Sequence, residues 1–198
     1  VPSNRAELKT AVDEWIADET SATATYGDIN DWHVSSITDF SDLFYGDSSF
    51  NSDISNWDVS SGTDFTSMFY EASSFDQDIS SWDVSSGTGF ATMFKGASAF
   101  NQDISSWDVS SGTNFSYMLR DAMSFNQVIS SWDVSNGNNF RAMFYGAETF
   151  DQDISGWDVS SGTDFGFMFY NQSSFNQDIS SWDVSNGNNF DGMFRGAG

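Results

Sequence analysis

A fixed period of 25 residues constrains this chain more than any other feature of its sequence. Trp recurs at this step at Trp32, Trp57, Trp82, Trp107, Trp132, Trp157 and Trp182. Phe keeps the same step at Phe50, Phe75, Phe100, Phe125, Phe150 and Phe175. A period of this size is typical of proteins in which each copy buries its apolar face against its neighbours. The spacing predicts seven repeats over residues 25–198, of which the last is incomplete.

Each repeat contains two different apolar patterns. Phe65, Met68 and Phe69 fall at i, i+3 and i+4, which is the spacing of one helical stripe. Trp57 and Val59 alternate with polar residues, which is typical of a half-buried strand. The sequence therefore predicts an α/β solenoid: a right-handed, leucine-rich-repeat-like coil with one short parallel strand and one short helix per repeat.

Two further columns of residues fit this coil. We expect glycines to mark the corner between strand and helix, at Gly62, Gly87, Gly112, Gly137, Gly162 and Gly187. Asn51 precedes the strand, and every later repeat has Asn or Asp at the same place. Side-chain oxygens stacked in this way are expected to bond backbone groups of the neighbouring repeat.

Residues 1–24 do not repeat, and they predict a helical cap for the first coil. Asn4 is three residues before Glu7, a spacing typical of a capped helix start. An apolar stripe follows at Leu8, Val12, Trp15 and Ile16. An open solenoid end exposes core and backbone edges, so an amphipathic helix is well placed to cover it.

The motif "FNQDISSWDVS…MFxGA" resembles the repeat of bacterial surface proteins and lipoproteins. That family is loosely grouped with BspA-like leucine-rich repeats. The leader "NRAELKTAVDEWIAD" is similar to the segment that often precedes such repeats. The resemblance implies a cell-surface location and a role in adhesion or protein binding, and it brings no catalytic residues.

The composition narrows the classes of partner. The net charge is −23, with 6 Lys and Arg against 29 Asp and Glu. Such a surface repels nucleic acid and anionic lipid and attracts cations or basic proteins. Cys is absent, which excludes disulfides and thiolate metal sites. No apolar run reaches the length of a membrane span, so membrane insertion is not expected.

One row of aspartates is the candidate binding site. It comprises Asp58, Asp83, Asp108, Asp133, Asp158 and Asp183, with His33 in the first repeat. Strands in register would place these carboxylates about 4.8 Å apart on one face. Such a row could bind Ca²⁺, which prefers oxygen ligands, or dock a basic partner. Alternatively, each carboxylate accepts hydrogen bonds from a neighbouring serine and has only a structural role.

Other candidates are weaker. The second aspartate column, which starts at Asp28 and Asp53, is interrupted by Val128, so we interpret it as turn hydrogen bonding. With His33 as the single histidine, no catalytic triad can be assembled, and we expect no enzyme activity. Asn114 and Asn171 lie in glycosylation sequons.

The sequence favours an extracellular or cell-surface repeat protein that binds a protein or matrix polymer, in adhesion or as a fibre component. One alternative is a filament subunit that self-associates head to tail. The other is binding of divalent cations or mineral along the Asp58 row. No cofactor is expected, apart from Ca²⁺ in that second alternative.

Overall fold

The computed structural model describes residues 2–197. Helix α1 spans Arg5–Ala17 and helix α2 spans Glu19–Tyr26. A short 3-10 helix at Ile29–Asp31 follows, and it leads directly into the first repeat tryptophan.

The predicted strand-plus-helix solenoid is wrong. Residues 32–197 contain no helix and no extended strand, and each repeat is a closed path of tight turns. Successive repeats nevertheless pair in parallel, through isolated backbone bridges between residues 25 apart. The bridges join Asp39, Asp64, Gly89, Asn114, Asn139, Asp164 and Asn189 in sequence.

Left-handed backbone explains why the predicted helix does not form. Ser67 and Glu71 have φ angles of 57° and 55°, in the middle of the segment with helical spacing. A left-handed residue cannot continue a right-handed helix. The other repeats have positive φ at the same two places, so the chain turns twice instead of coiling.

Backbone amides in this segment alternate between two kinds of acceptor. Phe65 and Phe69 each donate to a carbonyl of the next repeat, Gly89 or Met93, at 2.9 Å. The amide of Met68, which lies between them, donates back to Phe65 at 3.2 Å. Each repeat is thus hydrogen-bonded both within itself and to its neighbour, and these buried amides are satisfied.

Aromatic ladders fill the interior of the stack. Phe65 stacks on Phe90 with ring centroids 5.8 Å apart, and Phe69 stacks on Phe94 at 5.5 Å. The Trp column is buried as predicted, with Trp57 to Trp157 each 3 % exposed. From the second repeat onward, each indole donates to an isoleucine carbonyl of the preceding repeat, at 2.7–3.2 Å. The tryptophans therefore bind neighbouring repeats together as well as filling the core.

The glycine column serves a purpose different from the one predicted. None of these residues, Gly62 to Gly187 in steps of 25, has a positive φ angle. A Cβ at Gly112 would instead lie 2.5 Å from Cζ of Phe115 and 2.9 Å from the carbonyl oxygen of Val109. Glycine is required because the phenylalanine ring closes over the backbone, not because a corner needs left-handed geometry.

Helix α1 packs on the first repeat. The side chain of Asn4 accepts a hydrogen bond from the Glu7 amide at 3.0 Å, which confirms the predicted cap. Leu8 and Val12 are fully buried. Trp15 meets Trp32 edge to face, with centroids 5.9 Å apart, and so joins the helix to the aromatic core.

Candidate functional site

The aspartate row that starts at Asp58 lies on the surface, and the structure brings its members together through the stacking of the repeats. All six carboxylates are exposed. Each accepts a hydrogen bond from the backbone amide two residues later, at 3.0–3.2 Å. In Asp83 the hydroxyl of Ser85 donates as well, at 2.6 Å. The structural alternative from the sequence analysis is thus present: each aspartate closes a turn.

Turn bonds favour the charged form of several carboxylates in this row. Hydrogen bonds from the Ser85 side chain and amide lower the pKa of Asp83 below its usual value, and Ser110 does the same for Asp108. The Ser185 amide and side chain likewise lower the pKa of Asp183. Repulsion between neighbouring aspartates opposes this shift at Asp108 and Asp183, but its effect is smaller. Hydrogen bonding therefore outweighs the repulsion between neighbouring aspartates at Asp108 and Asp183.

The second aspartate column has the same local geometry. Asp78 accepts from the Ser80 amide at 2.9 Å, and the pattern recurs in most other repeats. Val128 takes this place in the fifth repeat, where it is 52 % exposed. The interpretation of this column as turn hydrogen bonding is confirmed by these contacts.

No group of three or more His, Asp or Glu side chains within residues 2–197 is arranged to hold a metal ion. One carboxylate oxygen of Asp83, Oδ1, accepts from both the amide and the hydroxyl of Ser85. Calcium binding along the Asp58 row stays a prediction, which calorimetric titration of the protein with Ca²⁺ can decide.

The Asn51 column links repeats, as the sequence predicts. Its side-chain oxygens accept the backbone amide 25 residues later: Asn51 from Asp76 at 2.9 Å, and Asp76 from Asn101 at 2.9 Å. The following glutamine adds a second bond to the same oxygen, as in Gln102 to Asp76 at 2.9 Å. This side of each repeat is thus joined to the next by side chains.

A second surface, which we call the tyrosine–cation face, lies on the segment that bridges the repeats. It comprises Tyr45, Tyr70, Lys95, Tyr117, Arg120, Arg141, Tyr145, Tyr170 and Arg195. Tyr45 stacks on Tyr70 at 4.4 Å, and Lys95 lies over the Tyr70 ring with its Nζ 4.5 Å from the centroid. Arg120 lies 4.3 Å from the centroid of Tyr145. Lys95, Arg120 and Arg195 occupy the same repeat position as the four tyrosines Tyr45, Tyr70, Tyr145 and Tyr170.

The cationic side chains are confined to this side of the molecule. In the repeats, every Lys and Arg belongs to the tyrosine–cation face. The remaining two come from helix α1: Arg5 donates to the carbonyl of Ser41, and Lys9 lines a surface depression together with Asp42 and Tyr45. Both aspartate columns belong to the other half of the repeat, which contains no Lys or Arg. We call that half the acidic face; it is defined by the Asp53 and Asp58 columns.

The single histidine and the two sequon asparagines differ in how far they are exposed. His33 is exposed at the start of the Asp58 column. Asn114 is half-buried, and its side chain accepts from the Ser116 amide at 3.0 Å. Asn171 is exposed with a φ angle of 54°. Of the two sequon asparagines, Asn171 is thus the more accessible.

Residues 13–130 and 104–198 match the family described as "Mycoplasma protein of unknown function, DUF285". The two matches together span most of the chain, which therefore belongs to this family. The predicted relationship to a bacterial repeat family is confirmed at this level. No curated protein and no solved structure matches the chain. Among the described residues, no helix is both long and apolar enough to cross a bilayer.

Proposed function

We propose that the protein is a non-enzymatic binding module that docks a basic protein or a basic matrix polymer on its acidic face. The observation that carries this proposal is a half of the repeat that has aspartates and no cations. Two columns of exposed aspartates share this half, interrupted by His33 in one column and Val128 in the other, and no lysine or arginine lies among them. Opposite charges at this density attract a polycation from a distance and raise its association rate.

The rigidity of the face supports the same proposal. Each aspartate is held by its turn bond, and each turn is joined to the next repeat through the buried tryptophan and the Asn51 column. A fixed row of charges loses little conformational entropy when a partner binds. The row also suits an extended partner, because its charges repeat at the spacing of the stacked repeats.

The proposed location is the outside of the cell. It rests on the resemblance of the motif "FNQDISSWDVS" to bacterial surface-protein repeats. The acidic surface fits this setting, because a highly charged protein stays soluble at high local density. Adhesion through the acidic face is the role that follows from such a location.

The proposal is tested with a charge-removing variant that keeps the turns. Replacing Asp by Asn at all six positions of the Asp58 column removes six charges, while the Asn oxygen still accepts the turn bond. Binding of the wild type and of this variant to immobilised poly-lysine is measured across salt concentrations. We expect wild-type binding at low salt and elution as salt rises, with much weaker retention of the variant.

A matched control removes the cations instead. Replacing Lys95 and Arg195 by Gln leaves the acidic face intact and increases the net negative charge. Retention of this control variant on poly-lysine should therefore equal or exceed that of the wild type. Equal retention of the wild type and the six-Asn variant would refute the proposal, as would retention that persists in 1 M salt.

A further inference from the structure

Four of the six tyrosines form two stacked pairs on the tyrosine–cation face. The rings of Tyr45 and Tyr70 are 7° from parallel, with centroids 4.4 Å apart. The rings of Tyr145 and Tyr170 are 8° from parallel, with centroids 4.7 Å apart. The two members of each pair are 25 residues apart in sequence, so each pair connects two adjacent repeats.

These tyrosine rings lie closer together than the phenylalanine rings of the same repeats. Phe44 and Phe69, which precede the first pair in sequence, have centroids 5.3 Å apart. Phe144 and Phe169, which precede the second pair, have centroids 5.7 Å apart. All four contacts are between nearly parallel rings, so the shorter distance means that the faces of the paired tyrosines overlap more.

The tyrosine pairs are also accessible, unlike the phenylalanine ladders of the core. Tyr45 is 52 % exposed, and the other three tyrosines of the pairs are half-buried. Phe44 and Phe69 are completely buried. A reagent in solution can therefore reach the phenols of both pairs.

Cationic side chains separate one pair from the other. Lys95 follows Tyr70 in the column, with its Nζ 4.5 Å from the ring centroid and 2.9 Å from the hydroxyl oxygen. Arg120 precedes Tyr145 and lies 4.3 Å from its ring centroid. Within residues 2–197, each of these two tyrosines stacks on one other tyrosine, which is its partner in the pair.

We propose that the two pairs are oxidative cross-linking sites, at which a dityrosine bond joins the two members of each pair. The oxidant is hydrogen peroxide, acting through a one-electron oxidant of the peroxidase class. Each phenol loses one electron and one proton, and the two radicals form a C–C bond between the ring carbons next to their hydroxyls. The hydrogen on each of these carbons then moves to the oxygen, which restores both phenols. The peroxide takes up the two electrons and two protons and becomes two waters.

The stacked geometry favours this reaction over coupling between separate molecules. When the C–C bond forms, it is perpendicular to both ring planes, so overlapping parallel rings already have the required orientation. Holding two reactants in this way replaces an encounter in solution by a step within one molecule.

The cross-links would stabilise a chain that has no cysteine and therefore no disulfide. Each one closes a loop between residues 25 apart, and a covalent bond that closes a loop restricts the unfolded chain. Neither aspartate column takes part, so these sites are tested independently of binding to poly-lysine.

The test treats the whole protein, at low concentration, with hydrogen peroxide and a haem peroxidase. We expect dityrosine fluorescence from the monomer and a higher melting temperature than before treatment. Aspartates lie between the two members of each pair, so cleavage at aspartate separates them unless they are cross-linked. Mass spectrometry should find joined peptides that contain Tyr45 with Tyr70 or Tyr145 with Tyr170, each lighter by two hydrogen atoms than the sum of its parts.

A double variant and a single variant are the controls. Tyr70→Phe with Tyr170→Phe removes one phenol from each pair and keeps the stacked rings. Treatment of this variant should give little dityrosine and no rise in melting temperature. Tyr117 is half-buried as well, but it has no stacked tyrosine partner within residues 2–197, so Tyr117→Phe should leave the dityrosine yield unchanged.

Three results would overturn the inference. The first is no dityrosine in the protein while free tyrosine is coupled in a parallel reaction. The second is an equal yield from the double variant and the wild type. The third is cross-linking that occurs only between molecules or joins other tyrosines, because coupling would then reflect collisions of exposed phenols and not the stacked pairs.

Discussion

Each aspartate of the acidic face has a local structural task, and this makes stability depend on pH. Serine donors lower the pKa of Asp83 and Asp108 in the folded protein below the unfolded value of 3.8. A lowered folded pKa stabilises the fold above the unfolded pKa, and this contribution is lost as pH falls through the folded pKa. We expect the melting temperature to fall as pH is lowered from about 5 to 3.

The serine hydroxyl provides the control for this pH prediction. Ser85→Ala removes the donor that bonds Asp83 at 2.6 Å but keeps the backbone bond. NMR titration should then show the pKa of Asp83 closer to its usual value, with Asp108 unchanged. An unaltered titration of Asp83 would mean that the side-chain bond contributes nothing to the shift.

Substitutions at Gly112 and Gly156 test the steric explanation for the glycine column. Gly112→Ala places a methyl group 2.5 Å from the Phe115 ring and should destabilise the protein by about 1–3 kcal/mol, the usual cost of overpacking. Gly156→Ala meets nothing within 4 Å and should leave stability nearly unchanged. Chemical denaturation of both variants measures the difference, and equal effects would contradict the steric explanation.

At the scale of the element, the sequence predicted which residues lie inside but not the backbone that places them there. Phe65, Met68 and Phe69 are buried, as the helical spacing implies. The same spacing also suits two consecutive turns, since both bring residues three and four apart to one side. What decides between them is left-handed backbone at Ser67 and Glu71. Neither is glycine in this repeat, so the local signal for this backbone lies in the glycines that alternate repeats have at the Glu71 position.

Glu71 tests this left-handed geometry directly. Its column has glycine in alternate repeats, and the Glu71 side chain is exposed. Glu71→Gly removes the strain of a left-handed Cβ and should raise unfolding free energy by about 0.5–1 kcal/mol, after the entropy cost of glycine. Glu71→Ala, which removes the same carboxylate but keeps Cβ, should give no such gain. Thermal melts of the two variants make the comparison.

The candidate site was more predictable than the fold. A strict repeat aligns identical residues whatever the backbone between them, so the Asp58 column followed from the period alone. The cations were missed because Lys95 and Arg120 stand where other repeats have Tyr. The tyrosine–cation face becomes visible when all residue types found at one repeat position are compared, and not only the identical ones.

At the scale of the whole molecule, the length of the core and the lengths of the two charged surfaces all depend on the number of repeats. One 25-residue unit supplies a core ladder, an acidic column and a tyrosine–cation column, and stacking extends all three along the same axis. A longer or shorter stack would change the length of the charged faces without changing their chemistry. Binding strength for an extended partner is therefore expected to scale with repeat number.

The same repetition predicts a gradient of local stability. Interior repeats pair with a neighbour on both sides through backbone bridges, whereas Ala22 is the one buried residue of helix α2. Segments with few buried apolar contacts open at lower free energy than segments packed on both sides. We expect hydrogen exchange to be faster at the amides of helix α2 than at those of Phe90 and Phe94. Equal exchange in the two segments would instead mean that helix α2 and the stack open as one unit.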